Sequence, residues 1–225
     1  MNIEADTLKK AAANWAAAEL RDGMVVGLGS RTTASFAVSE IGRLVKRGLQ
    51  IVCVATSENT AELARSLDIP LSNLSEHPEI DVTIDGADEV ELETLHLIKG
   101  GGGNLLREKI VAAASKRLVI VVDRSKVVER LSGKVPVEIA QFGWESTKRR
   151  LAAFGFKAVA RVEPNGSLFV TDGGNFIVDC LFGPIESATD LQSRLDSTVG
   201  VVEHGLFIGL ASQIVVGGPS GVDVF

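Results

Sequence analysis

Apolar residues in the first half of the chain form short continuous blocks, and the segments between them repeat apolar residues every three or four positions. Four blocks are almost wholly apolar: MVVGL, QIVCVA, IDVTID and LVIVVD. Helical spacing is found between them in TTASFAVSEIGRLV and SENTAELARSLD. Apolar strands that alternate with helices are typical of a parallel sheet buried on both faces. The pattern predicts an α/β fold, a Rossmann-like parallel-sheet domain with helices on both faces.

Further elements are predicted around these blocks. A helix over DTLKKAAANWAAAEL comes before the first block, with Asp6 as its N-cap, and Ser57 is expected to cap SENTAELARSLD. The segment LHLIK is predicted to be another strand of the parallel sheet, and NLLREKIVAAAS after it a helix.

The pattern changes after about Gly133. Short strands now alternate with two helical segments, ESTKRRLAAFG and ESATDLQSRLDS, as in a compact α+β unit with an antiparallel sheet. The last segment, LFIGLASQIVVGGPSGV, returns to apolar strands. We therefore predict a larger α/β domain of residues 1–132 and 205–225, with a smaller ferredoxin-like α+β domain of residues 133–204 inserted in it.

Composition and charge narrow the classes of partner. The 225 residues are 45% hydrophobic and carry a net charge of -6, which argues against a nucleic-acid-binding protein because such proteins need a basic face. The apolar blocks are far shorter than the roughly 20 residues of a membrane span. The polar N-terminal segment is unlike a secretory signal. We expect a cytoplasmic protein.

The cysteines and histidines suggest neither a disulfide nor a metal site. Cys53 and Cys180 lie inside apolar blocks and are interpreted as reduced core thiols, with a nucleophilic or metal-binding cysteine as the alternative. His77, His96 and His204 are scattered without the spacing of metal ligands. We predict no metal.

A first candidate site is the segment VVGLGSRTTASF. Gly29 follows the first strand, and the hydroxyls of Ser30, Thr32 and Thr33 lie where a helix begins. Free N–H groups, the positive helix end and hydroxyl donors suit a phosphate. A glycine turn with a threonine cap explains these residues equally well, because the segment lacks the P-loop lysine and does not complete GxGxxG.

Two more candidate sites follow the later strands. In VTIDGADEV, Asp85 ends a strand and Asp88 follows three residues later, so the pair could perform acid–base chemistry, bind a divalent ion or cap a turn. In KGGGGNLLREK, Lys99 ends a strand, Gly100–Gly103 form a loop, and Glu108 lies near a helix start. A solvated lysine and a helix-start glutamate are ordinary features separately. All three sites fall where predicted strands end, as ligand sites of open α/β sheets do.

Taken together, these motifs resemble one known family. IDGADEV, LIKGGGGNLLREKI, VVDRSKVV and GLGSRTTA resemble the motifs of type A ribose-5-phosphate isomerases, and the similarity extends from LKKAAANWA to VVGGPSGV. The resemblance implies interconversion of D-ribose 5-phosphate and D-ribulose 5-phosphate in the pentose phosphate pathway. It also implies a homodimer or larger homo-oligomer without metal or organic cofactor.

The resemblance also implies roles for individual residues. Glu108 would move a proton between the first two sugar carbons, and Lys99 would stabilise the negative oxygen that develops. Asp85 and Asp88 would serve ring opening and the hydroxyl protons. The expected substrate contacts are Lys9, Gly29, Ser30, Arg31, Thr32, Thr33, Gly100, Gly101, Gly102 and Lys126.

The residue types suit this chemistry independently. A carboxylate can remove a proton beside a carbonyl and return it one carbon along. A lysine and the N–H groups of the glycine loop can stabilise the enediolate oxygen as it forms. We therefore interpret the four glycines as backbone that a sugar must approach closely.

Two positions depart from the family pattern. The family's loop usually reads G-[TS]-G-S-T, with glycine where this chain has Arg31 and serine where it has Thr32. We expect the Arg31 guanidinium to point to solvent, with contact to the phosphate as the alternative. In TDGGN, Gly173 stands where asparagine is common.

Two other classes of protein remain as alternatives. One is a non-catalytic sugar-phosphate sensor that keeps the pocket without turnover. The complete set of Asp85, Asp88, Lys99 and Glu108 argues against it. The other is an acyl or coenzyme A transferase on a similar fold, with a glutamate as nucleophile.

Overall fold

The structure, a computed structural model, describes residues 3–219 and 221–225, with side chains from residue 6 onward. The helices are α1 (Ile3–Ala17), α2 (Arg31–Val45), α3 (Glu58–Ser66), α4 (Leu105–Ala113), α5 (Trp144–Ala152) and α6 (Ala188–Asp196). The strands are β1 (Val25–Leu28), β2 (Val52–Ala55), β3 (Val82–Asp85), β4 (Glu89–Glu91), β5 (His96–Ile98), β6 (Leu118–Asp123), β7 (Val127–Val128), β8 (Gly133–Ile139), β9 (Lys157–Ala160), β10 (Phe176–Phe182), β11 (Val201–His204), β12 (Leu206–Phe207), β13 (Gln213–Gly218) and β14 (Gly221–Val224).

The main sheet has six strands in the order β14-β13-β6-β3-β1-β2. All neighbours are parallel except the edge strand β14, which runs antiparallel to β13. On β6, Val119 and Val121 belong to the core beneath α1 and α2, whereas Ile120 and Val122 belong to the core on the opposite face. Because both faces are covered, the strand is apolar at nearly every position. The predicted Rossmann-like parallel sheet is confirmed.

The two faces of this sheet are covered by different structures. Helices α1, α2 and α3 supply one core, through small and branched residues such as Ala13, Ile41 and Ala64. Helix α4 covers part of the other face, next to a second sheet in the order β12-β5-β4-β7. This second sheet packs on β6 and β13 through Leu97 and Phe207.

The segment LHLIK is a strand but not part of the parallel sheet, so that prediction was wrong. Its strand β5 pairs antiparallel with β4, with Glu89 opposite Ile98. The reason is local: β4 begins four residues after β3 ends, and the chain then reverses through a turn with Leu95 at φ 54. The reversal brings the residue after β5 back to the carboxyl end of β3.

The two predicted helix caps have different outcomes. Ser57 caps α3, because its hydroxyl accepts a hydrogen bond from the N–H of Thr60 at 3.1 Å. Asp6 lies inside α1, which already includes Ile3, so its prediction as N-cap was wrong. Its carboxylate instead lies 3.5 Å from the ammonium of Lys9, one turn later.

The second half of the chain forms a smaller antiparallel unit. The elements follow the order β8-α5-β9-β10-α6-β11, and the sheet order is β11-β8-β10-β9, which is the ferredoxin-like arrangement. Its separate core includes Val137, Leu151 and Leu195. The division into domains at residues 132/133 and 204/205 stays a prediction.

The helices in the described ranges are too short or too polar to cross a membrane.

The contact between α1 and β13 yields a first prediction. A Cβ on Gly217 would lie 2.0 Å from the carbonyl oxygen of Leu8, which belongs to the helix backbone and cannot rotate away. Gly217→Ala should therefore lower the free energy of unfolding by roughly 1–3 kcal/mol, as overpacking does. Urea denaturation followed by circular dichroism measures this. Gly218→Ala is the matched control, because its nearest atom would be 3.8 Å away. Equal stability of the two variants would contradict the packing argument.

Candidate active site

A cavity of about 140 Å³ lies at the carboxyl ends of β1, β3 and β6. This is where open α/β sheets bind their ligands. Its lining residues are Lys9, Ser30, Arg31, Thr32, Thr33, Gly86, Ala87, Asp88, Lys99, Gly100, Glu108 and Lys126. Four candidate residues do not line it: Gly29, Asp85, Gly101 and Gly102. Gly102 instead lines a neighbouring cavity of about 440 Å³.

A buried triad of charges forms one end of the cavity. The ammonium Nζ of Lys99 lies 2.8 Å from Asp85 Oδ2 and 3.4 Å from Glu108 Oε2, and no side chain of the three is more than 3% exposed. The same ammonium donates to the carbonyl oxygen of Gly86 at 2.6 Å. Buried charges are tolerated only when they are paired and hydrogen-bonded, so these three residues depend on one another.

Asp85 is held in place by backbone groups. Its Oδ1 accepts hydrogen bonds from the N–H groups of Ser30 at 3.2 Å and Gly86 at 2.7 Å. A Cβ on Gly29 would lie 2.2 Å from that oxygen, so only glycine lets the end of β1 come this close. Gly29 therefore positions Asp85 and does not line the cavity.

Glu108 lies in the first turn of α4 and faces inward. Its Oε1 accepts a hydrogen bond from the hydroxyl of Ser30 at 2.5 Å. Its Oε2 faces the Lys99 ammonium at 3.4 Å, and no other group in the described part of the chain donates a hydrogen bond to it. Burial is the largest effect on Glu108 and raises its pKa, and the negative charge of Asp85 raises it further. The positive charge of Lys99 and the hydrogen bond from Ser30 lower this pKa. The net direction is upward, towards the range that suits a general base.

Lys99 remains an ammonium despite its burial. Burial lowers its pKa, but the charges of Asp85 and Glu108 outweigh this effect, and the pKa of Lys99 is raised overall. The site thus contains a fixed positive charge beside a carboxyl group whose proton affinity is increased.

Positive groups lie together on other elements around the cavity. Lys9 on α1 and Lys126 after β6 both line it, together with Thr32 and Thr33 from the first turn of α2. Buried Asp123 ends β6, and its Oδ2 lies 3.9 Å from the ammonium of Lys9. Helix N–H groups and lysines suit a phosphate dianion.

We expected the Arg31 guanidinium to point to solvent; the side chain is exposed, and it also contacts Asp88. Its Nη1 lies 3.1 Å from Asp88 Oδ1, in an ion pair with about half of the arginine side chain exposed. The backbone of Arg31 has φ 67, a left-handed conformation that costs a non-glycine residue roughly 1–2 kcal/mol. The side chain covers the glycine loop, since a Cβ on Gly102 would lie 2.5 Å from Arg31 Cδ.

The glycine loop is crowded mainly by the protein itself. Gly100 and Gly103 have φ values of 95 and 88, which favour glycine. Added Cβ atoms would collide with Leu105 at Gly100 and with Phe169 at Gly103. Gly100 alone of the four glycines lines the cavity. Tight packing therefore explains most of this glycine run, which we had interpreted as backbone approached by a sugar.

Sequence reasoning missed two residues that shape the site, Asn104 and Asp123. Asn104, the N-cap of α4, donates through Nδ2 to the hydroxyl of Ser30 at 3.2 Å. Asp123 belongs to the motif VVDRSKVV, yet its contact with Lys9 joins residues more than a hundred positions apart. A cap position directly after a glycine run was the available signal for Asn104. The signal for Asp123 was its position at the end of the apolar block LVIVVD, the same position that Asp85 has in its own strand.

A second polar cluster lies outside this cavity. One ligand atom each of Asp196, Glu203 and His204 lies within 4.8 Å of the others. The ammonium of Lys109 is 2.6 Å from Glu203 Oε1 and supplies positive charge there. His204 was thus grouped with two carboxylates by the fold, although its sequence neighbours show no ligand spacing.

The fold and the site define a class of protein: an α/β protein whose cavity, at the carboxyl ends of parallel strands, has a buried cluster of Lys99, Asp85 and Glu108 at one end. The chain belongs to the family Ribose 5-phosphate isomerase A (phosphoriboisomerase A), whose family model matches residues 52–221. This confirms the resemblance inferred from the motifs.

Relatives and solved structures agree over nearly the whole chain. Ribose-5-phosphate isomerase A of Synechococcus sp. is 51% identical over 222 residues, covering 97% of this chain and 96% of its own. The enzyme of that name from Gloeobacter violaceus is 50% identical, covering 99% of this chain and 97% of its own. The structure of ribose 5-phosphate isomerase from Plasmodium falciparum is 39% identical with a TM-score of 0.93, covering 98% of both chains. The structure of a D-ribose-5-phosphate isomerase in complex with phospho-erythronic acid is 36% identical with a TM-score of 0.94, covering 100% of this chain and 99% of its own.

The strained backbone at residue 31 yields a second prediction. Arg31→Gly and Arg31→Ala both lose the ion pair with Asp88, but only glycine adopts positive φ without a Cβ penalty. The glycine variant should therefore be more stable than the alanine variant by roughly 0.5–1 kcal/mol in free energy of unfolding. Urea titration of both variants measures the difference. An alanine variant more stable than the glycine variant by roughly 0.5–1 kcal/mol, the ordinary entropy cost of glycine, would mean that residue 31 carries no strain.

The hydrogen bond from Ser30 yields a third prediction. Because this bond lowers the pKa of Glu108, its removal in Ser30→Ala should raise that pKa further. Carboxyl ¹³C NMR titration of Glu108 in the two proteins measures the shift. Thr33→Val is the control, as this residue lines the same cavity and has no hydrogen bond to Glu108. A fall of the Glu108 pKa in Ser30→Ala would contradict the assignment.

Proposed function

We propose that this protein interconverts D-ribose 5-phosphate and D-ribulose 5-phosphate through an enediolate intermediate. The observation that carries the proposal is the position of Glu108, a buried carboxyl group of raised pKa beside Lys99, in a cavity that Lys9 and Lys126 also line. The family supports the reaction, since its members named above are isomerases. They do not support the alternative of a sensor without turnover.

Glu108 is the proposed base. Its Oε1 is held by the Ser30 hydroxyl, whereas Oε2 has only the Lys99 ammonium beside it, at 3.4 Å, and meets no hydrogen-bond criterion within the described residues. We therefore assign Oε2 to accept the proton from the second carbon of the aldose and return it to the first carbon. A general base works best when its pKa approaches the working pH, and burial moves the pKa of Glu108 in that direction.

Lys99 is the proposed stabiliser of the enediolate oxygen. Its ammonium is fixed by Asp85 and by the carbonyl of Gly86 before any substrate binds. A charge that is already oriented needs little reorganisation when the oxyanion forms, which is why such groups contribute strongly to catalysis.

The two aspartates support different roles. Asp88 lines the cavity, so we assign it to ring opening and to the hydroxyl protons. Asp85 does not line the cavity, and its oxygens are occupied by Lys99 and by two backbone N–H groups. We therefore assign Asp85 chiefly to the orientation of Lys99, a narrower role than the resemblance implied.

The phosphate is proposed to bind at the N-terminal end of α2. Thr32 and Thr33 offer N–H and hydroxyl donors there, and Lys9, Lys126 and Arg31 add positive charge. Binding a group remote from the reacting carbons holds those carbons against Glu108 and converts binding energy into orientation.

The remaining assignments rest on the resemblance and on charge. We propose a cytoplasmic homodimer or larger homo-oligomer whose partner is a small sugar phosphate and which needs no metal or organic cofactor. The net charge of -6 supports the absence of a nucleic-acid partner.

Glu108→Gln tests the proposal directly, as a fourth prediction. The amide cannot act as a base, so turnover of ribose 5-phosphate should fall by roughly 10²–10⁴-fold or more, while calorimetric binding of the sugar phosphate stays nearly unchanged. Exposed Glu62→Gln on α3 is the matched control and should keep full activity. Unchanged turnover in Glu108→Gln would remove this residue from the base role.

Deuterated water separates the proposed isomerase from its rivals. The native protein should form ribulose 5-phosphate and introduce solvent deuterium at the carbons that exchange the proton. A sugar-phosphate sensor would bind the sugar without forming ketose, and a transferase would need an acyl donor. Absence of both ketose and deuterium exchange would overturn the proposal.

A further inference from the structure

The smaller antiparallel unit reaches the glycine loop through Arg161, which follows β9. Its side chain is only 12% exposed. The guanidinium pairs with Asp179 on β10, where Nε lies 3.1 Å from Oδ2 and Nη2 lies 2.5 Å from Oδ1. The guanidinium carbon also lies over the ring of Phe169, 5.6 Å from the ring centroid. Two of the three guanidinium nitrogens thus fix the orientation of the side chain.

The third nitrogen contacts the loop. Nη1 of Arg161 donates to the carbonyl oxygens of Gly100 at 3.1 Å and Gly101 at 3.3 Å. These contacts join residues about sixty positions apart, from the small sheet and from the loop between β5 and α4. None of the sequence motifs includes Arg161.

Peptide geometry transmits this contact to the cavity. In a trans peptide, the carbonyl and the N–H of the same peptide group point in opposite directions. When Arg161 holds the carbonyl of Gly100, the N–H of Gly101 must face the other side. It does so, and donates to Asp88 Oδ2 at 2.7 Å. Without a partner, a run of glycines has many other conformations available.

We propose that Arg161 is a positioning residue for the isomerisation, an inference that rests on the proposed function. Arg161 fixes the peptide groups of Gly100 and Gly101, and Gly101 in turn orients the carboxylate of Asp88. The smaller unit thereby contributes to catalysis without touching the substrate.

The type of side chain matters for this role. A guanidinium has a rigid planar fork and can bind a carboxylate with two nitrogens while a third donates elsewhere. A lysine has a single flexible ammonium. Arg161→Lys therefore keeps the charge beside Asp179 but cannot hold both the carboxylate and the two loop carbonyls in the same geometry.

Steady-state kinetics of Arg161→Lys with ribose 5-phosphate test the proposal. We expect kcat to fall by about 10–10²-fold, because small displacements of catalytic groups have effects of that size. KM should change less than about twofold, since the proposed phosphate contacts lie on other elements. The midpoint of thermal unfolding reports whether the variant is folded.

Lys134→Met is the matched control. The ammonium of Lys134 also faces Asp179, at 3.6 Å from Oδ2, but it is about half exposed and has no contact with the loop. Both kinetic constants should stay at the native values. If Arg161→Lys keeps native kcat, or if Lys134→Met loses as much, the proposal is overturned.

Amide hydrogen exchange provides a measurement that does not depend on activity. The N–H of Gly101 should exchange slowly in the native protein and several-fold faster in Arg161→Lys, while the amides of the main sheet are unaffected. If Arg161→Lys fails to fold, Asp179→Asn replaces it, with the same expected changes in kcat and exchange. Unchanged exchange at Gly101 overturns the positioning role. If Gly101 exchanges faster in Arg161→Lys but the native protein has no isomerase activity, the positioning role stands and only the proposed function is contradicted.

Discussion

The buried ammonium of Lys99 is the constraint on which the site depends. A charge removed from water is stable only when opposite charges and hydrogen bonds surround it, and Lys99 obtains these from Asp85, Glu108 and the carbonyl of Gly86. Loss of one partner would leave an uncompensated charge in the interior. The ends of β3 and β5 and the first turn of α4 must therefore meet within a few ångströms. The same requirement places a carboxyl group of raised pKa beside a fixed cation.

The fold satisfies this constraint through close backbone approaches. The reversal between β4 and β5 returns Lys99 to the end of β3, and Gly205 allows β12 to lie against it, since a Cβ there would be 2.2 Å from the Lys99 carbonyl oxygen. Gly29 likewise allows the end of β1 to lie close to Asp85, since a Cβ there would be 2.2 Å from Oδ1 of that residue. Strain remains at Arg31, whose left-handed backbone accompanies its ion pair with Asp88. Strained backbone of this kind is common at functional sites, where surrounding contacts outweigh its cost.

Much of this arrangement could be predicted from local pattern. The block LVIVVD is a strand because its apolar residues serve two cores, and Ser57 caps a helix because its hydroxyl meets an N–H three residues later. The candidate chemistry was also predictable, as Lys99 and Glu108 are separated by only a loop and one helical turn. The sheet to which β5 belongs could not be predicted, because a short apolar strand has the same sequence pattern in the parallel sheet and in the second sheet. Asn104 and Asp123 were missed because their partners are remote in the chain.

The sequence by itself determined the strands and helices, the residue types of the site and the family, since these depend on neighbouring residues and on motifs of fixed spacing. Only the tertiary structure decided which groups touch. It directed the Ser30 hydroxyl to Glu108, turned Arg31 onto Asp88, and brought Arg161 to the glycine loop. Such contacts form between residues separated by tens of positions, where no local spacing rule applies. Their geometry follows from the packing of whole elements, which is a property of the folded chain.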